Sequence, residues 1–144
     1  VIVSLGVVTT SVTTGVCAWE IRTGATPGRA KLLEIGVTLT TATATTLGLG
    51  FPQAIGVTPT SPVDFEPEDP NDVLATEVIQ SSLAWATPPT IPTEYRRITS
   101  IQGTIGAGVI WTFPKGLIIP VSNSIILWNL ASNSALNAYA VLEV

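Results

Sequence analysis

WTFPKGLIIPVSNSIILWNL, running from Trp111 to Leu130, is the stretch whose reading decides the fold. It carries a single charge, Lys115, and a tryptophan near each end. Its length matches the roughly 20 apolar residues of a membrane-spanning helix. Pro120 and the run Ser122-Asn123-Ser124 interrupt it, and such residues reverse a chain rather than continue a helix. The stretch therefore reads as strand, tight polar turn, strand. In the second strand Ile126, Trp128 and Leu130 face one way and Ile125 and Leu127 the other. The first strand is the short GLIIP, and a separate strand before it, VIWTFP from Val109, sets Val109, Trp111 and Phe113 against Ile110. A sheet with one solvated face alternates apolar and polar residues, and these strands are apolar on both sides. One face fills a core. The other needs cover, either from a partner chain or from a loop of the same chain. Charge depletion marks the centre of interfaces. Trp111, Phe113, Ile125, Leu127 and Trp128 are thus expected at a subunit contact, with Arg96 pairing an acid across it.

Working outward, β signals recur and helical periodicity does not. Residues 16–23 read as a strand. From Lys31, Leu33, Ile35, Val37 and Leu39 share one face, while Glu34, Gly36, Thr38 and Thr40 share the other: a half-buried strand. Further strands are expected in TTLGLGFP from Thr45, TEVIQSSLAWAT from Thr76, TEYRRITSIQGT from Thr93 and ALNAYAVLEV from Ala135. GTIGAG, from Gly103 to Gly108, reads as a hairpin turn. Turn signals arrive about every 8–12 residues, the spacing of a sandwich or barrel. The expected fold is an all-β antiparallel sandwich, jelly-roll-like, over residues 16–144. Residues 1–15, VIVSLGVVTTSVTTG, are β-prone and uncharged. They read equally as an extended N-terminal arm that adds a strand to a neighbour's sheet or as the first strand of the sandwich. Residues 52–75, rich in proline and acids, read as a long exposed loop.

Composition narrows function. The chain has 144 residues, one domain's worth, with 46% apolar but only 11% charged residues and a net charge of −4. The six basic residues form no stripe, which argues against nucleic acid as a partner. No signal-peptide pattern and no spanning helix is visible, so no membrane partner is expected. There is no histidine and one cysteine, Cys17. Histidine-based triads and the usual zinc sites are therefore out of reach, and Cys17 is expected as a small buried hydrophobe. Asp64, Glu66, Glu68, Asp69 and Asp72 are weak candidates for a Ca²⁺ site. Their spacing matches no EF-hand pattern, prolines separate the acids, and a solvated acidic face is the simpler reading. No cofactor and no enzymatic activity is expected. Trp19 and Trp85, beside polar neighbours, are the tryptophans expected to be partly exposed.

A resemblance enters on three segments: RRITSIQGTIGAGVIWTFPKGLIIPVSNSIILWNLASNSALNAYAVLEV at 96–144, GRAKLLEIGVTLTTATATTLGLGFP at 28–52, and EPEDP at 66–70. Together they resemble small β-sandwich virion proteins of tailed bacteriophages and their prophages, over residues 16–144. Similar chains end in a P…S…LWN…YAV pattern. The resemblance implies a jelly roll that assembles as a homotrimer. It also implies a place on the virion, at the capsid surface, as a decoration (cement) protein whose partner is the major capsid protein. The alternative it leaves is a receptor- or glycan-binding appendage of head or tail.

Overall fold

The structure, a computed structural model, describes residues 1–9, 16–24, 30–74, 79–131 and 135–144. Its strands are β1 (Ile2–Val8), β2 (Val16–Thr23), β3 (Ala30–Leu39), β4 (Thr45–Gly50), β5 (Val57–Pro59), β6 (Pro62–Val63), β7 (Glu66–Pro67), β8 (Ile79–Ser82), β9 (Trp85–Thr87), β10 (Arg97–Ile101), β11 (Gly108–Ile119), β12 (Ser124–Asn129) and β13 (Leu136–Glu143). Among the described residues there is no helix, hence none long and apolar enough to cross a membrane.

Two antiparallel sheets pack face to face. One has five strands in the order β11-β3-β13-β1-β7, the other six in the order β10-β4-β12-β2-β8-β6. β5 and β9 form a separate two-stranded ribbon. From β1 to β4, and again from β10 to β13, each successive strand lies in the opposite sheet. The turn at 120–123 therefore carries the chain from one layer to the other. So does GTIGAG, which is not the hairpin turn expected: it delivers β10 of one sheet to β11 of the other. Gly106 makes that crossing with φ +86, a backbone region open to glycine.

The alternation read from sequence puts Ile35, Val37 and Leu39 of β3 in the core opposite Leu47, Leu49, Ile125 and Leu127. Each such side chain contributes about 1.5–3 kcal/mol through burial. Bulges correct the sequence reading at two points. Between its pairings with Val141 and Leu142 of β13, β3 carries one extra residue, so Leu32 is fully buried while Leu33 is only half-buried. On β2 the extra residue is Ala18, because Leu127 pairs with Trp19 and the next residue, Trp128, with Cys17. That slip turns Cys17 and Glu20 to the same outer side as Trp128 and Ile126.

Residues 2–8 are a strand of this chain's own sandwich and not an arm. β1 pairs with β13 from Ile2↔Glu143 to Val8↔Asn137, and Val3 and Val7 drop into the core. Residues 10–15, the rest of the expected arm, lie outside the described residues. The acidic segment is likewise tied down more closely than a free loop. Glu66 and Pro67 pair with β1, Pro62 and Val63 pair with β8, and Phe65 is buried with its ring stacked on Trp19 at 6.1 Å.

Candidate functional site

The sandwich has two outer faces, and they are finished differently. On the six-stranded sheet, the outer side of β12, β2 and β4 presents Ile126, Trp128, Cys17 and Gly48. Residues 51–59 and 85–96 cross over it as a third layer. Trp85, Tyr95 and Leu130 pack on Cys17, Ile126 and Trp128 in an apolar cluster separate from the main core. Gly48 leaves room for the Tyr95 ring, because a Cβ there would stand 2.7 Å from Tyr95 Cδ1.

Under this layer lies Glu20, fully buried. Its Oε1 accepts hydrogen bonds from Arg22 Nη2 at 2.8 Å and Trp85 Nε1 at 3.0 Å. Its Oε2 accepts from Ser124 Oγ at 3.0 Å and the Gly56 backbone N–H at 3.2 Å. Arg22 Nη2 also donates to the Gly56 carbonyl oxygen. A buried carboxylate is costly unless its lone pairs are filled, and here four donors from four places in the chain fill them. Next to it, burial pushes the Cys17 thiol well above its ordinary pKa; the Glu20 charge adds to this and a backbone hydrogen bond involving Trp19 opposes it. Cys17 is thus an inert thiol in the folded protein.

The five-stranded sheet has no such layer among the described residues. The register places Gly6, Tyr139, Gly36 and Ile110 side by side on its outer face, with Val8, Asn137, Thr38 and Gly108 in the next row. The Tyr139 ring lies over Gly36, where a Cβ would stand 2.2 Å from Tyr139 Cε1. Its hydroxyl donates to Glu34 Oε2 at 2.7 Å. That bond is the main reason the phenol pKa is raised, with desolvation and the Glu34 charge adding. Between Tyr139 and Ile110 runs a groove of about 480 Å³ with no charged residue in its lining. Val8 and Ile110 stand out from this face, 64% and 61% exposed, and Ile105 at the β10–β11 turn is 67% exposed.

The residues singled out from sequence fall elsewhere. Trp111 and Phe113 point into the sandwich, as do Ile125 and Leu127, and Trp128 lies beneath the third layer. These five are buried within the chain and do not form an outer contact. β12 is central in its sheet, with the opposite sheet on one side and the chain's own cover on the other. The second face of β12 does need cover, and residues 51–59 and 85–96 of the same chain supply it, not a partner subunit. Arg96 is exposed, with its guanidinium 5.3 Å from the centre of the Phe51 ring. Trp19 is fully buried and not partly exposed; Trp85 is half-buried. Asp64, Glu66, Glu68, Asp69 and Asp72 are all exposed, and Asp69 Oδ1 accepts from the Asn71 backbone N–H at 2.9 Å. Among the described residues no group of three or more acids, Cys or His is placed to hold a metal ion.

Sequence reasoning missed Glu20, although a lone carboxylate between Trp19 and Ile21 in an apolar strand was a visible signal. It also missed Tyr139 and Glu34, whose meeting depends on strand register. Comparison with known protein families, curated proteins and solved structures finds no match for this chain.

Proposed function

We propose that this chain is a non-enzymatic structural protein that associates with copies of itself through the outer face of the five-stranded sheet. In this reading it is a homotrimeric decoration protein on the capsid of a tailed bacteriophage, bound to the major capsid protein. The observation that carries the self-association is the contrast between the two outer faces. The chain spends about twenty residues covering one apolar face, and leaves Val8, Ile110 and an uncharged groove bare on the other. That bare face offers both raised apolar side chains and a recess, so the raised side chains of one copy fit the recess of the next, the head-to-tail contact that a closed ring of three repeats. The virion assignment rests on the resemblance of residues 16–144 to small β-sandwich virion proteins of tailed bacteriophages. The shuttling of successive strands between the sheets supports its jelly-roll part.

The first test is the mass of the purified protein by light scattering across a range of concentrations. A particle of three times 15.0 kDa is expected. A monomer at all concentrations overturns the self-association. Co-purification of the chain with heads of the phage that encodes it tests the virion assignment; its absence from those heads overturns that part. Binding of a glycan in the Tyr139 groove of a monomer would instead favour an adhesive appendage.

A further inference from the structure

We propose that residues 51–59 and 85–96 form a strap, latched by Glu20, that lifts as a unit while the sandwich beneath stays folded. This does not depend on the proposed function.

The strap is held together by its own bonds. Val57 pairs with Thr87 and Pro59 with Trp85. The Gln53 backbone N–H donates to the Thr90 carbonyl at 3.2 Å, and the Thr90 N–H returns a bond to the Ala54 carbonyl at 2.9 Å. Its two chains continue at one end into the β4–β10 pair and at the other toward the β6–β8 pair. It therefore crosses the six-stranded sheet from one edge region to the other, anchored at both. Proline at 52, 59, 88, 89 and 92 removes backbone donors along the crossing, which limits any ladder to the sheet below.

What fastens the middle is small and localised. One part is the ion pair of Glu20 and Arg22: the carboxylate holds both strap chains at once, Gly56 of the first and Trp85 of the second, and Arg22 donates to the Gly56 carbonyl oxygen. The other is the satellite cluster around Trp128, which the sheet separates from the main core. A region that keeps its internal bonds on opening, and loses only a few buried contacts, opens at a fraction of the global free energy. Lifting it uncovers Cys17, Ile126 and Trp128, so the six-stranded sheet acquires a bare apolar face like the one opposite.

Cys17 is the single cysteine and is fully buried in this cluster, which makes it a built-in reporter. The experiment measures its labelling by a thiol reagent in increasing urea below the global transition, with the transition itself followed by far-UV circular dichroism. In the wild-type protein, labelling is expected to outpace global unfolding and to depend on urea much more weakly. Glu20→Gln, which sets an amide N–H₂ among four donors, and Trp85→Phe, which removes one donor and keeps a ring, should each speed labelling about tenfold or more with the same weak urea dependence. Leu142→Ala, in the main core, should lower the urea midpoint and leave that labelling rate unchanged. Labelling that follows the urea dependence of global unfolding in the wild type and both latch variants overturns the proposal. So does a Leu142→Ala protein whose labelling accelerates in step with its loss of stability.

Discussion

The two outer faces of this sandwich start from the same problem and end differently. Each places a glycine beneath an aromatic ring: Gly48 beneath Tyr95 on the six-stranded sheet, Gly36 beneath Tyr139 on the five-stranded one. On the first, the ring belongs to a crossing segment that brings Trp85 with it and closes a small second core. On the second, the ring belongs to the sheet itself, and nothing among the described residues lies above it. The first face is thereby covered within the chain, and the carboxylate beneath the cover has four donors. The second keeps its apolar side chains in water unless another molecule removes them. Burial within one chain and burial between chains obey the same physics, and among the described residues this molecule covers only one side with a segment of its own.

The contrast breaks most visibly at Trp128. Truncating it to alanine removes the floor of the second core, and a loss of about 3–5 kcal/mol is expected, as for other buried tryptophans. Urea denaturation measures it. A loss below 1 kcal/mol would mean that the crossing segment contributes little to the fold.

The glycine pair comes next. Gly48→Ala drives a methyl into Tyr95, with the Leu130 side chain 3.1 Å away on another side, so a loss of about 1–3 kcal/mol is expected. Gly36→Ala drives a methyl into Tyr139, whose ring can swing into solvent. Its cost should be nearer the ~1 kcal/mol of the hydrogen bond to Glu34 that is given up. Equal losses at the two sites would show that the second face is as closed as the first.

Tyr139→Phe keeps the ring and removes only the hydroxyl, for an expected ~0.5–1.5 kcal/mol. The same bond gives a pH signature. A phenol whose pKa is raised in the folded state stabilises the fold fully below its ordinary titration range near pH 10, and that contribution disappears as pH climbs through the raised value. Tyr95 is also shifted up, by desolvation, so both of the chain's tyrosines should titrate late in ultraviolet absorbance. Tyr139→Phe should leave one late transition. An unshifted Tyr139 transition in the wild type would place its hydroxyl in water, away from Glu34.

Much of this architecture is legible in the sequence, and the exceptions have physical causes. Period-two alternation located Ile35, Val37 and Leu39, and the turn at Pro120–Asn123 separated β11 from β12 as expected. A one-residue bulge is invisible to periodicity, so alternation points to Leu33 where Leu32 takes the core place, and it gives no sign that Cys17 and Glu20 share an outer side. Whether two strands joined by a short turn lie in one sheet or in two depends on tertiary pairing, which is why GTIGAG reads as a hairpin in the sequence and crosses between sheets in the fold. The need for cover over Trp128 was legible because a strand apolar on both faces demands it. The identity of the cover was not, because Trp85 and Tyr95 sit in proline-rich segments that carry no periodic signal. The groove at Tyr139 joins residues from β3, β11 and β13, and only the register of three strands brings them together.

The smallest effect on the fold is also the most discriminating. Ile110 is largely exposed and lies across from Gly36 on the outer face. Ile110→Asp takes no apolar contact from the main core, so the stability of an isolated chain should move by no more than about 0.5 kcal/mol. Its effect on association should be large, because a charge placed in the middle of an apolar contact between copies must be desolvated without a partner. Gln80→Asp, an exposed position on the six-stranded sheet, introduces the same charge away from the bare face and serves as the control. Light scattering should then show a monomer for Ile110→Asp and an unchanged particle for Gln80→Asp. If both variants keep the wild-type mass, the copies meet elsewhere, and the bare face belongs to a partner of a different kind.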